Sequence, residues 1–219
     1  WANEIDKYAC QTYRLNFGSD FLVEGDIQEI STDMIPDFDV LIAGFPCQAF
    51  SSVGLKKGFE DPRGNLFFET ARVIAAKKPS VVFFENVANL VKHDEGKTFL
   101  TIFNTMAELG YTVRYKIMNA SDYGIPQQRN RIYIVAFLNE NLCEKFQFPE
   151  DRKLTRDAFS YFDKEKQPES YYMNNHKMWN EMINFMKDRH RIYRFTDWGI
   201  SCGREGICPT LLAAMGSPY

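Results

Sequence analysis

The stretch FDVLIAGF, residues 38–45, runs directly into Pro46-Cys47 and a loop that contains several glycines. A second run, VVFFEN at 81–86, is equally apolar up to its last two residues. Runs without polar alternation predict central strands that are covered on both faces of a parallel sheet. Pro46 can donate no ladder hydrogen bond, so we expect the first strand to end there.

Short β-rich runs alternate with helical patterns over the first 138 residues, which predicts parallel strands joined by crossover helices in a doubly wound α/β sheet. The predicted helices run to about residue 16, near 65–78 and near 97–109, and further strands are predicted at FLVEGD, 112–118 and 131–138. In the third helix Phe99, Phe103 and Met106 fall on one apolar stripe, and Gly110 ends the pattern.

The pattern breaks down after residue 139 and returns only in HKMWNEMINFMKD, which predicts a short amphipathic helix. We place a domain boundary near residue 150, with a small irregular domain at 151–219. Residues 1–150 carry a formal net charge of -5 and residues 151–219 carry +2, within a total of -3. The later domain is therefore the better candidate to face a polyanion.

Composition excludes several classes of protein. The chain of 219 residues is 45% apolar but has no run long enough to span a membrane, and its first ten residues do not form a signal peptide. Five cysteines without a CxxC pair favour a reduced, cytoplasmic protein. Three histidines, and a Cys202/Cys208 spacing that matches no zinc pattern, predict that no metal is bound.

Polar residues at the ends of the predicted strands are the first candidates for a site, because ligands bind outside the carboxyl ends of parallel strands. Glu4, Asp26, Cys47 and Glu85 each lie at or just past such an end. The alternative is that acids and small polar residues end strands because turns need them. That alternative explains Glu4 or Asp26 taken singly equally well.

Cys47 is the strongest of these candidates, since its thiol is expected at the rim of a cleft. As a nucleophile it would need a local positive field or a proton acceptor, and Arg129 and Arg131 could supply that field. The alternative, a small hydrophobic residue packed behind the sheet, is the default interpretation for Cys10 and Cys143.

Glu85 ends an apolar strand, so its carboxyl group is expected to be partly desolvated and able to hold or donate a proton. A structural carboxylate bonded to backbone amides is an equal alternative. The loop 48–64 contains Lys56, Lys57 and Arg63, and its length favours an active-site lid that grips phosphates over a simple solvated loop.

Four segments carry a family resemblance: GFPCQAFSSVG (44–54), GFEDPRGNLFFE (58–69), FFENVANL (83–90) and NASDYGIPQQRNRIYIVAF (119–137). Together with NEIDKYA and EGDI they are distributed along most of residues 1–150. In these segments the sequence resembles the DNA (cytosine-5) methyltransferases, most closely the small bacterial restriction–modification enzymes of the HhaI type. The resemblance implies a Rossmann-like S-adenosylmethionine-dependent methyltransferase sheet with a partial target-recognition domain.

The resemblance also implies catalytic roles. Cys47 would add to C6 of a cytosine, and Glu85 would share or donate a proton at N3. Arg131 would contact O2 of the base, and Arg129 would hold the catalytic loop and a backbone phosphate. The cytosine must leave the duplex, with the loop that holds Ser51 and Arg63 closing over it.

The implied methyl donor is S-adenosylmethionine, with S-adenosylhomocysteine as product. Glu4 would bond the ribose hydroxyls, and Ile5 would lie beside the adenine. Asp26 and Ile27 would read the adenine edge. Pro46 and Leu66 would line the donor pocket.

The sequence departs from the family pattern at both ends. The glycine-rich donor loop is expected about 20 residues before Glu4, and the late motifs are expected beyond the last residue. Either these parts lie on a second polypeptide or in residues outside this sequence, or the chain is inactive.

Duplex DNA is the expected partner, in a cytoplasmic, nucleoid-associated bacterial enzyme that is monomeric when complete. The alternatives are a tRNA cytosine-5 methyltransferase and a non-catalytic subunit of the same fold. Four arginines of the later domain are candidates for reading base edges, without any register: Arg189, Arg191, Arg194 and Arg204.

Overall fold

The computed structural model describes residues 1–45, 66–172, 175–196 and 199–211. The helices are α1 (Lys7–Phe17), α2 (Leu66–Lys77), α3 (Lys97–Glu108), α4 (Glu140–Lys145) and α5 (Trp179–Phe185). The strands are β1 (Ala2–Glu4), β2 (Leu22–Glu24), β3 (Val40–Ala43), β4 (Val81–Val87), β5 (Thr112–Asn119), β6 (Asn130–Phe137), β7 (Tyr193–Thr196) and β8 (Gly199–Cys202). In these residues no helix is both long and apolar enough to cross a bilayer.

The strands form three sheets. β1 pairs in parallel with β2, and β3, β4, β6 and β5 form a four-stranded sheet in that order, in which β3 and β4 are parallel. β7 and β8 form an antiparallel pair. The predicted α/β class and the three long helices of the first 138 residues are confirmed.

The chain divides into two compact units. The first unit comprises Trp1–Ile117 with Ile132–Gln147, and the second comprises Met118–Arg131 with Phe148–Tyr219. The second unit therefore includes a segment, 118–131, that the sequence analysis placed in the catalytic domain. The boundary near residue 150 stays a prediction.

The core of the first unit is built from α2, β4, α3 and β6. Its buried members are Phe45, Phe67, Ile74, Val82, Phe84, Leu90, Ile102, Met106, Tyr111, Ile132, Ile134 and Ala136. The rings of Phe45, Phe67 and Phe84 lie 5.2–6.1 Å apart, in the tilted and edge-on arrangements that aromatic pairs favour. This aromatic cluster anchors the end of β3.

Two details of the sequence interpretation are wrong. β3 is an edge strand and not a central one among the described strands, since it pairs with β4 alone, and one of its faces is open, since Val40 and Ile42 are 54% and 75% exposed. The buried stripe of α3 centres on Ile102 and Met106, while Phe103 is 37% exposed. Gly110 does follow the end of α3, at φ +90°, a conformation that glycine adopts without strain.

Candidate active site

Glu4 ends β1, and one oxygen of its carboxylate is held by the main chain. Oε1 accepts hydrogen bonds of 2.8 Å from the backbone amides of both Ile5 and Asp6. Asp6 in turn caps α1, since its Oδ1 accepts from the amides of Tyr8 and Ala9. The start of α1 therefore fixes the direction of the Glu4 side chain. Ile5, beside it, leaves 65% of its surface exposed.

Asp26 lies two residues beyond β2, and β2 is the strand that pairs with β1. The register Glu4↔Glu24 and the 3.0 Å bond from the Gly25 amide to the Glu4 carbonyl bring the two strand ends together. Oδ1 of Asp26 accepts from the Gln28 amide at 2.9 Å and so caps the short helical turn Ile27–Glu29. Glu4, Ile5, Asp26 and Ile27 thus share one end of this strand pair.

Glu85 lies at the carboxyl end of β4, directly against the chain that follows β3. A Cβ built on Gly44 would lie 3.6 Å from the Glu85 carbonyl oxygen and 3.8 Å from its carboxylate Oε2. Gly44 therefore lies within van der Waals reach of the Glu85 carboxylate.

Asn86, the next residue, is 5% exposed and ties the two strand ends together. Its Nδ2 donates to the carbonyl of Phe45 at 2.7 Å, and its Oδ1 accepts from the Val87 amide at 2.9 Å. Phe45 precedes Cys47 by two residues. The sequence analysis did not single out Asn86 because a polar residue after a strand predicts a turn equally well.

Some of the predicted site residues lie outside the described residues, namely Pro46, Cys47, Ser51 and Arg63, together with Lys56 and Lys57 of the loop. Leu66 is the first residue of α2. The structure therefore describes Phe45 and Leu66, the residues on either side of the segment that contains Cys47, and it describes Glu85, which lies beside Gly44.

Arg129 and Arg131 belong to the second unit, whereas Glu85 belongs to the first. The Arg129 amide donates to Oδ1 of Asn119 at 2.9 Å, and Nη1 of Arg131 donates to the Asn130 carbonyl at 2.9 Å. Within the second unit, the amide of Gln128 donates to the carbonyl of Cys208 and the amide of Cys208 donates to the carbonyl of Pro126. The segment 118–131 is thus paired with the chain near residue 208.

The four arginine candidates of the later domain have different surroundings. Arg191 pairs with Asp188 (Nε–Oδ2 3.0 Å), and Arg189 is exposed. The pKa of Asp188 is lowered mainly by the hydrogen bond from the backbone amide of His190 and, to a smaller extent, by Arg191, which favours the ion pair. Arg194 and Arg204 line one cavity of about 460 Å³ together with Gln128, Ser201, Cys202, Gly203, Pro209 and Thr210.

The guanidinium groups of this cavity are held in place. Arg194 donates through Nε to Ser201 Oγ at 3.2 Å and through Nη1 to the carbonyl of Thr210 at 2.9 Å. Nη2 of Arg204 donates to Ser121 Oγ at 2.7 Å. Within the described ranges neither guanidinium group has a carboxylate partner.

Cys10 and Cys143 are buried, and burial raises the pKa of both thiols. Sγ of Cys10 lies 3.4 Å from the carbonyl of Glu4. These two cysteines are packed thiols, as their default interpretation holds. Among the described residues no group of three His, Cys, Asp or Glu side chains could hold a metal ion.

Acids at the carboxyl ends of parallel strands are the arrangement in which open α/β proteins bind nucleotide ligands. The chain belongs to the C-5 cytosine-specific DNA methylase family, which matches residues 1–200.

Individual relatives agree with this assignment. The chain is 43% identical over 222 residues to the Type II methyltransferase M.Bsp6I of Bacillus sp. (strain RFL6), covering 99% of this chain and 70% of that protein. It is 53% identical over 154 residues to the Type II methyltransferase M.HhaI of Haemophilus parahaemolyticus, covering 70% of this chain and 46% of that protein.

Solved structures show the same fold at lower identity. The structure of S. pombe Dnmt2 methyltransferase matches with a TM-score of 0.62 and 22% identity, and covers 84% of this chain and 58% of that one. The predicted S-adenosylmethionine-dependent methyltransferase fold is confirmed.

Proposed function

We propose that this protein transfers a methyl group from S-adenosylmethionine to C5 of a cytosine that has rotated out of a specific duplex DNA sequence. The observation that carries the proposal is the position of Glu85. Its carboxylate lies beside Gly44, and Cys47 follows Gly44 by three residues in the sequence. An acid therefore lies next to the chain that leads from β3 to the predicted thiol nucleophile.

The donor set at β1 and β2 fits S-adenosylmethionine. The carboxylates of Glu4, at the end of β1, and Asp26, just beyond β2, could accept hydrogen bonds from ribose hydroxyls and an adenine amine. The exposed side chain of Ile5 offers an apolar surface to a purine ring. Glu4, Ile5, Asp26 and Ile27 would hold the nucleoside, and Pro46 and Leu66 would line the methionine side. The bound donor supplies an electrophilic methyl group.

Cytosine C5 is a poor nucleophile until a nucleophile adds at C6. The Cys47 thiolate forms a bond to C6, and the ring electrons move towards C5 and N3. Glu85 shares its proton at N3, which limits the negative charge on the ring, and Arg131 contacts O2. C5, now nucleophilic, would accept the methyl group that bound S-adenosylmethionine supplies, with S-adenosylhomocysteine as the product.

Transfer of the C5 proton to water, return of the N3 proton to Glu85 and elimination of the Cys47 thiolate would restore the aromatic ring and the nucleophile. Arg129 holds the catalytic loop and a phosphate, and Ser51 and Arg63 close over the flipped nucleotide. Arg194 and Arg204 would contact the DNA backbone or bases from the cavity that they line together, because within the described residues neither guanidinium group has a carboxylate partner.

Incubation with labelled S-adenosylmethionine and either duplex DNA or tRNA tests the substrate. We expect label in DNA at C5 of cytosine within one recurring sequence, in a protein acting in the bacterial cytoplasm. Label in tRNA alone would replace the proposed substrate, and no label in either nucleic acid with the full-length protein would favour a non-catalytic role.

A further inference from the structure

Arg72, on α2, reaches the turn that follows β2. Its Nη2 donates to the carbonyl of Ile27 at 3.0 Å and to the carbonyl of Ile30 at 3.1 Å. Its Nε pairs with Oε2 of Glu69 at 2.8 Å, one turn earlier on the same helix. The carboxylate of Glu69 therefore orients the guanidinium group towards the two carbonyls.

The turn 26–30 is otherwise held by its own short-range bonds. Asp26 caps it, and the Ile30 amide donates to the Ile27 carbonyl at 3.2 Å. Within the described ranges, Arg72 is the source of the hydrogen bonds that tie this turn to a distant segment, 42 and 45 residues along the chain. Its side chain is 34% exposed, so these bonds are partly shielded from water.

We propose that Arg72 is a positioning residue of the methyl-donor site. By holding the carbonyls of Ile27 and Ile30 it fixes the turn whose first residues, Asp26 and Ile27, meet the adenine. A ligand that binds a turn already in place does not have to order it on binding, so its affinity is higher. The inference rests on the proposed function, because it requires S-adenosylmethionine at Asp26.

Within the described residues Arg72 bonds to Glu69, Ile27 and Ile30 and to none of the predicted catalytic residues Glu85, Arg129 and Arg131. Its removal should therefore weaken donor binding without slowing transfer from the fully bound complex. A residue needed only for folding would lower donor affinity, DNA affinity and kcat together.

The test compares Arg72→Gln with Lys77→Gln in the full chain. Lys77 lies on the same helix and pairs with the exposed Asp37, so its replacement makes the same charge change away from the turn. For Arg72→Gln we expect the Kd for S-adenosylmethionine, measured by calorimetry, to rise about tenfold, since two charged hydrogen bonds are lost. The kcat at saturating donor and the Kd for duplex DNA should stay at wild-type values, as should all constants of Lys77→Gln.

Two further readouts isolate the turn. Amide deuterium exchange at 26–30 should become faster in Arg72→Gln but not in Lys77→Gln. In a double-mutant cycle with Asp26→Ala, the combined loss of donor affinity should be smaller than the sum of the single losses. Additive losses would overturn the proposal, since they would place the effect of Arg72 elsewhere.

The outcomes separate this inference from the proposed function. A wild-type chain that does not bind S-adenosylmethionine overturns both. A wild-type chain that binds it, with unchanged affinity in Arg72→Gln or a parallel fall in kcat, overturns only the role of Arg72. If Arg72→Gln does not fold, Arg72→Lys is used instead, because one ammonium group cannot reproduce the contacts of the guanidinium group. Wild-type donor affinity in Arg72→Lys would also overturn the role of Arg72.

Discussion

The hydrogen bond from Asn86 to Phe45 offers the sharpest perturbation of the candidate site. Replacement of Asn86 by Ala removes the 2.7 Å bond to the Phe45 carbonyl and the acceptor of the Val87 amide. Phe45 is 6% exposed, so water does not readily replace the lost donor. Val87 is 39% exposed, so its amide can bond to water instead.

The cost is therefore dominated by the loss of the buried bond to the Phe45 carbonyl. Removal of one partner of a buried hydrogen bond costs about 1–3 kcal/mol, and we expect Asn86→Ala to lower the free energy of unfolding by about 2 kcal/mol. Because Phe45 lies two residues before Cys47, the bond also sets where the chain leaves β3. If the whole of this energy, about 2 kcal/mol, is also lost from the transition state, attack of Cys47 at C6 would slow by about 30-fold.

Urea denaturation measures the first quantity, and single-turnover methyl transfer measures the second. Asn16→Ala is the matched control, because Asn16 is exposed and its amide donates only within its own helix, to Thr12. Asn86→Asp keeps the acceptor for Val87 but not the donor, so it should lose at least as much stability. A change below about 0.5 kcal/mol in Asn86→Ala, equal to that of the control, would refute the reasoning.

Three further changes have defined outcomes. Cys47→Ser should abolish methyl transfer while specific DNA binding persists in a gel-shift assay; substantial turnover would contradict the nucleophile assignment. Glu85→Gln should lower kcat far more than DNA affinity, and an equal loss of both would indicate a structural acid. Burial raises the pKa of Tyr111 to about 12, and its hydroxyl donates to the Pro79 carbonyl at 2.7 Å. The folded state therefore opposes ionisation of Tyr111, so the stability of the wild-type protein should hold below pH 10 and fall as the pH rises towards 12. Tyr111→Phe should lose about 1–2 kcal/mol at neutral pH and show no such fall in alkaline denaturation. Parallel pH curves for the two proteins would contradict this.

Local patterns predicted the elements that position the site. The apolar run at 81–86 is an interior strand, and the helical spacing after residue 65 is α2, because period and chain punctuation are properties of adjacent residues. The acids at strand ends were found for the same reason: the ends of strands follow from the sequence, and ligands bind beyond them.

Features that depend on distant partners were not predictable in this way. Val40 and Ile42 are exposed although their run is as apolar as β4, since burial depends on which elements cover a strand. Asn86 contacts a residue 41 positions away and Arg72 contacts residues 42 and 45 positions away. On a helix, an arginine is usually a solvated charge, so no local signal marks Arg72.

A covalent bond between Cys47 and cytosine is the central claim. The full-length protein, shown to bind both S-adenosylmethionine and its DNA site, is incubated with a duplex that carries 5-fluorocytosine at the target position. Because fluorine cannot leave as a proton does, the account predicts a denaturation-resistant adduct that mass spectrometry maps to Cys47 and that requires the methyl donor. Absence of an adduct, or attachment at another residue, would contradict the account.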